Sequence, residues 1–475
     1  MDALPLKALL IGIQLPRTPE AELQASLAEL QRLVHTLGYE VVGSLTQKRS
    51  STSSALLVGQ GKLREIAKWT GGTGQVASMV TRKKSKAAER FGHEDDDAAD
   101  VEDEIEEVSD EQDEAAPEDA EDSELTCPPE GVSAGIVIVD CDLTPSQLRN
   151  LESATGVEVL DRTGVIIEIF SRHARTRAAK LQVEIARLNY LAPRIRETGG
   201  ASERQGGGVG GKGSGESSQE LDRRHIRDRI KELKGELASV QDEGALRRNR
   251  RSGENSVALV GYTNAGKSSL MRAMTGSEVL VADKLFATLD TTVRPLYPLS
   301  IPRVLLSDTV GFIKKLPHDL VASFRSTLEE ALNAGLLLFV VDASDATFRQ
   351  QLEVTRQVLG EIGALELPSR ILLNKRDRLS EAEAQALRQE FPEAILISTR
   401  DKNDLASLRE VLLNHFEDGM SEADLTVPYT VQGAIGEIRR VMRVLNETYD
   451  GSGVKLRVKA RPADLARVRE RFKLP

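Results

Sequence analysis

Short unbroken apolar runs alternate along most of this chain with apolar residues spaced three and four apart. Ala8-Leu9-Leu10-Ile11 and Val41-Val42 predict strand pieces, and between them Leu23, Leu27, Leu30, Leu33 and Val34 share one helix face. Gly135-Ile136-Val137-Ile138-Val139-Asp140 has the composition of a buried parallel strand. Residues 145–154 then predict a helix, and residues 157–160 and 165–170 predict further strands. This alternation makes residues 1–170 one expected α/β domain. A polar, glycine-spotted and finally acidic insertion interrupts it at about 71–132. It is expected to be disordered, having too little apolar surface to offset chain entropy. Nearer the N-terminus, Gly59-Gln60-Gly61-Lys62 has glycines and a lysine like a second nucleotide loop but lacks its strand–loop–helix frame, and predicts a turn.

Over residues 171–252 the pattern changes to two long amphipathic helices. Ala174, Ala178, Leu181, Ile185, Leu188, Ala192 and Ile195 mark the first, and Ile226, Ile230, Leu233, Leu237 and Val240 the second. The stretch 199–216 between them is too rich in glycine to be helical. The prediction is an antiparallel coiled-coil hairpin with a glycine-rich tip and arms of roughly 35–40 Å at about 1.5 Å per residue. Arginines and lysines crowd the arms, among them Arg172, Arg175, Arg177, Lys180, Arg187, Arg194, Arg223, Arg224 and Arg227, and Arg247, Arg248, Arg250 and Arg251 close the second. A solvated surface with scattered ion pairs would account for them, as would a rod that contacts RNA phosphates. Residues 253–420 return to strand–helix alternation, with strands at 257–260, 304–306, 336–342, 370–373 and from 395. Residues 421–475 predict a small α/β appendage with a helix at 435–445 and a strand at 454–458. The fold class is α/β, multidomain, the third domain having a mostly parallel sheet.

A length of 475 residues suits several domains, and 40% hydrophobic residues is ordinary for a globular protein. No apolar run approaches the length of about 18 that a membrane span requires. The first residues, Met1-Asp2-Ala3-Leu4-Pro5, lack the basic start of a signal peptide. Cys127 and Cys141 give no disulfide framework, and unpaired thiols fit a reducing cytoplasm. The net charge of −11 conceals a basic protein. Nineteen acids and no base lie between Glu94 and Glu124, leaving +8 on the remainder. That remainder admits an anionic partner larger than a small molecule.

Chemistry concentrates behind the run 257–260. Gly261, Tyr262, Thr263, Asn264, Ala265, Gly266, Lys267 and Ser268 form a glycine-bounded loop that feeds a helical segment. Gly261 and Gly266 let successive backbone N–H groups turn inward toward phosphate oxygens. Lys267 supplies a charge to the β and γ phosphates, and the Ser268 hydroxyl can ligate Mg²⁺. Asp308, Thr309, Val310 and Gly311 follow a strand, where Asp308 can hold Mg²⁺ through water and Gly311 can bring its N–H close to a γ-phosphate. Asn374, Lys375, Arg376 and Asp377 choose the base. A carboxylate at Asp377 accepts from N1–H and the N2 amine of guanine, donors that adenine lacks, so GTP is expected over ATP. Ser398, Thr399 and Arg400 form the expected base-contacting loop. Phe286, Ala287, Thr288, Leu289 and Asp290, with Thr291 and Thr292, form a candidate switch in which any of three threonines can complete Mg²⁺ coordination. Phe312 stands where a water-orienting glutamine would serve hydrolysis. Slow partner-free turnover is therefore expected.

The chain resembles the HflX family, GTPases of the Obg–HflX group, over nearly all its length except about 71–132. The resemblance rests on Leu160-Asp161-Arg162-Thr163, on Ile169-Phe170-Ser171-Arg172-His173-Ala174-Arg175-Thr176 and on Leu181-Gln182-Val183-Glu184. It continues in Gly206-Gly207-Gly208-Val209-Gly210, Gly215-Glu216 and Phe286-Ala287-Thr288-Leu289-Asp290. The sequence departs from the family pattern at Thr291, where proline is common, and at Thr399-Arg400. The resemblance implies a P-loop GTPase domain, Mg²⁺ on Ser268 and Thr288, and GTP-dependent binding to the large ribosomal subunit and its rRNA. Lys267, Thr288 and Gly311 carry the expected catalysis. A cytoplasmic protein, monomeric away from the ribosome, is expected. A tRNA-processing accessory protein and an RNA-binding scaffold with a structural nucleotide are the alternatives.

Overall fold

A computed structural model describes residues 6–76, 128–129, 132–195, 218–249, 255–276, 285–286, 291–300, 303–314, 331–417 and 419–474. Most of the 71–132 insertion, the 199–216 tip, Ala287, Thr288, Leu289 and Asp290 lie outside them. The first sheet is wholly parallel, in the order β2-β1-β3-β4, from β1 (Lys7–Gln14), β2 (Glu40–Lys48), β3 (Ile136–Val139) and β4 (Glu158–Asp161). Every residue of β3 is buried, as a strand covered on both faces requires. Its helices are α1 (Glu20–Thr36), α2 (Gln60–Thr70) and α3 (Pro145–Thr155). The sequence 59–62 is not a turn. Gly59 is the extended N-cap of α2, so the helix begins there.

Residues 165–170 correct the sequence expectation more deeply. They lie inside a helix, α4 (Arg162–His173), and not in a strand. Val165, Ile166, Ile169 and Phe170 are all buried, so the apolar run satisfies a helix packed on several sides as well as it would a strand. The deciding residue is Asp161, whose carboxylate accepts from the Gly164 N–H at 2.7 Å and caps the helix.

The hairpin arms are α5 (Arg177–Leu191) and α6 (Ser218–Asn249), 15 and 32 residues long. At about 1.5 Å per residue they reach roughly 22 and 48 Å, not the equal arms the spacing predicted. The short arm is bounded by the Thr176 cap at its start and by Pro193 at its end, where the chain passes at Ala192 into a single 3₁₀ turn, while α6 runs on past Glu236 to Asn249. Leu181, Ile185 and Leu233 form the seam, and Arg177 pairs with Glu236 across it at 3.1 Å.

The second sheet has six strands in the order β10-β9-β8-β5-β7-β6. They are β5 (Asn255–Val260), β6 (Thr292–Pro295), β7 (Val304–Asp308), β8 (Leu336–Asp342), β9 (Ser369–Asn374) and β10 (Ile395–Leu396), of which only β6 runs antiparallel. Helices α7 (Lys267–Thr275), α8 (Phe348–Glu361), α9 (Glu381–Glu390) and α10 (Lys402–Glu417) accompany it. The chain reverses its strand order around β5, so the crevice opens at the carboxyl ends of β5, β7 and β8. One apolar cluster, including Leu27, Phe170, Phe286, Phe312 and Phe339, runs unbroken from α1 and α4 into this sheet. The last unit is an antiparallel sheet of β11 (Ser421–Pro428), β13 (Gly453–Ala460) and β12 (Arg443–Asp450), backed by α11 (Ala434–Val441) and α12 (Pro462–Phe472). The helix expected to 445 stops at Val441, because Arg443 onward pairs with β13.

Candidate active site

The loop from Gly261 to Gly266 has a shape that few residues could adopt. Gly261 has φ of 152°, and a Cβ on it would stand 2.1 Å from the Val340 carbonyl oxygen. At Gly266, with φ of 98°, a Cβ would meet the Asn374 side-chain nitrogen at 2.3 Å. Asn264 occupies the left-handed region at φ of 60°, which asparagine tolerates better than most residues. The loop then hands over to α7, whose first N–H groups have no partner within the helix.

Lys267 turns its buried amine back into the loop, donating to the carbonyls of Gly261 at 2.9 Å and Tyr262 at 2.8 Å. Burial pushes the amine down to about 8, with nearby Asp308 acting in the opposite sense. The Ser268 hydroxyl donates to Asp308 at 2.7 Å, so two hard oxygen groups meet beside the cradle. Asp308 is fully buried at the end of β7, and the Thr309 hydroxyl ties the next residue to Leu259 O at 2.6 Å. Buried Val310 leads to Gly311, where a Cβ would stand 2.8 Å from Thr263 Cγ2 and 3.1 Å from the Lys267 amine. Asp308 to Gly311 and the cradle are thus packed together. Phe312 is 2% exposed and its backbone exchanges hydrogen bonds with Gly261 and Thr263 at 3.1 and 2.8 Å.

At the other end of the crevice, Asn374 is buried and donates to Ala265 O at 2.9 Å. Lys375, left-handed at φ of 64°, places its amine 2.5 Å from Asp342. Asp377 accepts from the Ser398 hydroxyl at 2.7 Å and lies 3.5 Å from exposed Arg400. The Ser398 hydrogen bond, helped by a backbone N–H and by Arg400, holds its carboxyl below the usual range against desolvation. Arg376 pairs with Asp401 at 3.1 Å and Asp404 at 3.2 Å, while Asp404 accepts from the Ser398 N–H at 2.8 Å. Half-buried Thr399 sits inside this fastened loop.

Phe286 is buried with φ of 58°, its ring 4.6 Å from that of Phe170. The basic arms need one correction. Arg194 does not face outward. Its guanidinium stacks 3.7 Å from the Tyr190 ring centre and bonds Asp161 at 3.0 Å. Sequence reasoning also missed the Tyr262 side chain, whose hydroxyl donates to Glu29 of α1 at 2.5 Å. The only available signal was that a buried phenol needs a polar partner, and the partner lies 233 residues away.

A glycine cradle after a central strand, an Asp-x-x-Gly packed beside it and an Asn-Lys-x-Asp tied to its far side define a P-loop GTPase, a hydrolase of GTP that binds GTP and GDP. The chain matches the family described as 50S ribosome-binding GTPase over residues 256–375. It also matches GTP-binding GTPase Middle Region over 173–251 and GTP-binding GTPase N-terminal over 24–85 and 123–171. GTPase HflX of Gluconacetobacter diazotrophicus is 56% identical over 462 residues, 97% of each chain. GTPase HflX of Caldanaerobacter subterraneus subsp. tengcongensis is 36% identical over 453 residues, covering 95% of this chain and 90% of its own. A solved GTP-binding protein from the archaeon Sulfolobus solfataricus, in complex with GDP, aligns over 86% of this chain and 98% of its own at 22% identity and a TM-score of 0.42. The chain belongs to the HflX family of GTPases. No helix among the described residues is long and apolar enough to cross a membrane.

Proposed function

We propose that this GTPase binds the large ribosomal subunit in the cytoplasm and uses GTP hydrolysis to act on ribosomes, as in splitting or rescue. The observation that carries the proposal is the α5–α6 hairpin, whose exposed Arg177, Lys180, Arg223, Arg227 and Lys231 line a rod suited to rRNA phosphates. The match to the family described as 50S ribosome-binding GTPase supports the same partner.

In the site, the amides from Gly261 to Ser268 and the Lys267 amine take the phosphates, and Gly311 offers its N–H to the γ-phosphate. Asp377 reads guanine, with Asn374, Lys375, Arg376 and Ser398 to Arg400 shaping the base corner. Mg²⁺ would be held by Ser268 and Thr288, with Asp308 acting through water, and would neutralise charge on the phosphates. The 2.7 Å approach of Ser268 to Asp308 supports that donor set. Phe312 cannot polarise water, so hydrolysis depends on positioning and on the partner.

GTP turnover measured with and without purified 50S, 30S and 70S particles tests the proposal. Stimulation by 50S and 70S is expected. Stimulation by tRNA alone would favour a tRNA-processing accessory, and no phosphate release with any particle would favour a scaffold. An Asp377→Asn variant run in parallel is expected to shift preference toward xanthine nucleotides.

A further inference from the structure

Two adjacent residues at the β4–α4 junction hold different parts of the molecule. Asp161 is fully buried and faces the end of α5 nearest the hairpin tip. It accepts from the Tyr190 hydroxyl at 2.8 Å and from Arg194 at 3.0 Å, and from the backbone of Leu143 at 3.1 Å. Arg162, its neighbour, is 1% exposed and faces α1. Its guanidinium bonds Asp140 at 2.6 Å, Ser26 at 3.2 Å and the carboxylate of Glu29.

Glu29 carries the chain of contacts into the active site, since its other oxygen accepts from the Tyr262 hydroxyl. The same phenol oxygen accepts from the Lys314 N–H at 2.6 Å. Tyr262 is the second residue of the phosphate cradle, and Lys314 is three residues beyond Gly311. The Lys314 amine pairs with Glu22, also on α1. Burial, reinforced by Glu29, pushes the Tyr262 phenol well above its ordinary range, so it stays a donor at any working pH. A cavity of about 60 Å³ opens beside these groups, lined among others by Glu22, Ser26, Glu29, Arg32, Tyr262 and Lys314, and gives them room to rearrange.

We propose that Asp161-Arg162 is a relay, in which the seating of the tip-side end of α5 on Asp161 sets how Arg162 and Glu29 hold Tyr262, and Tyr262 positions the backbone after Gly311. Tyr262 is then a positioning residue whose side chain touches no reacting atom. The relay rests on the GTP-site reading above and supplies its regulation: what the hairpin grips alters hydrolysis through one hydroxyl. With Phe312 buried, a water-orienting group must come from elsewhere, and a clamped 312–314 backbone hinders its entry. Loosening the clamp should raise the partner-free rate.

The full-length protein tests this with Tyr262→Phe, Tyr190→Phe and the double variant, each removing only a hydroxyl and keeping the ring. Nucleotide affinity, GTP turnover and hydrogen exchange of the 311–314 peptide are measured for each. Tyr262→Phe is expected to raise kcat about three- to tenfold with KM changed less than about twofold, as loss of one buried hydrogen bond allows. Tyr190→Phe should raise kcat in the same direction and speed exchange at 311–314. The double variant should match Tyr262→Phe alone. Independent sites would instead multiply their effects, and that outcome overturns the relay, as does an unchanged kcat in Tyr262→Phe. Failure of the relay would leave guanine binding intact in all three variants, whereas failure of the GTP-site reading would show as unaltered base preference in Asp377→Asn.

Discussion

The Asn374 side-chain amide donates to the carbonyl of Ala265 at 2.9 Å, fastening the strand end proposed to read the base to the loop proposed to cradle phosphate. The two halves of the proposed nucleotide site are therefore one mechanical unit, although 109 residues separate them in sequence. Asn374→Ala leaves the buried Ala265 carbonyl without its donor, at a cost of about 1–3 kcal/mol. GDP and GTP affinity should fall together, by roughly ten- to a hundredfold. Equilibrium titration with fluorescent nucleotides checks this, and a loss confined to one nucleotide would show that the contact does not join the halves.

How much of this was legible in sequence depends on whether the chemistry is contiguous. Gly261 to Ser268 and Asn374 to Asp377 each occupy one short stretch, with strand and helix signals on either side, so the roles proposed for them are local in sequence. The run 165–170 could not, because its buried helix faces have the same apolar composition as a strand. The cap at Asp161, three residues before Gly164, was the signal that outweighed it. The unequal arms follow from the Thr176 cap and from Pro193, which bound α5, and from α6 running on past Glu236 to Asn249. The Tyr262–Glu29–Arg162 chain was invisible for a different reason. Its members come from three distant segments, and only the packing of α1 between the two sheets brings them together.

The Lys267 amine gives a pH dependence with a definite sign. Its pKa is lowered to about 8 by burial, so the free protein loses that charge as pH rises through 8. Bound phosphates favour the charged form, so the pKa in the complex is higher than in the free protein. Nucleotide affinity should then be flat below about pH 7 and fall toward tenfold per unit above about pH 8, by linkage between proton and ligand. Titrations from pH 6 to 9.5 test it. Lys267→Arg, whose guanidinium keeps its charge throughout, should bind more weakly but without the alkaline fall.

Phe286 opens the 286–290 segment in the left-handed region, where a Cβ is unfavourable by about 1–2 kcal/mol. Its buried ring on Phe170 outweighs that, since removing a buried phenylalanine side chain costs about 3–5 kcal/mol. Both Phe286→Ala and Phe286→Gly should accordingly lower stability, and their order separates the two effects. Glycine usually destabilises relative to alanine by about 0.5–1 kcal/mol through chain entropy. At φ of 58° alanine keeps the strain that glycine relieves, so the glycine variant should be the more stable of the two by a few tenths to about 1 kcal/mol. Denaturant midpoints of the two variants, measured with GDP at one fixed concentration, decide the matter. An alanine variant more stable than the glycine one would mean that residue 286 is not held left-handed in solution. The grip of Phe170 on the start of this segment would then contribute packing alone, with no backbone strain to release.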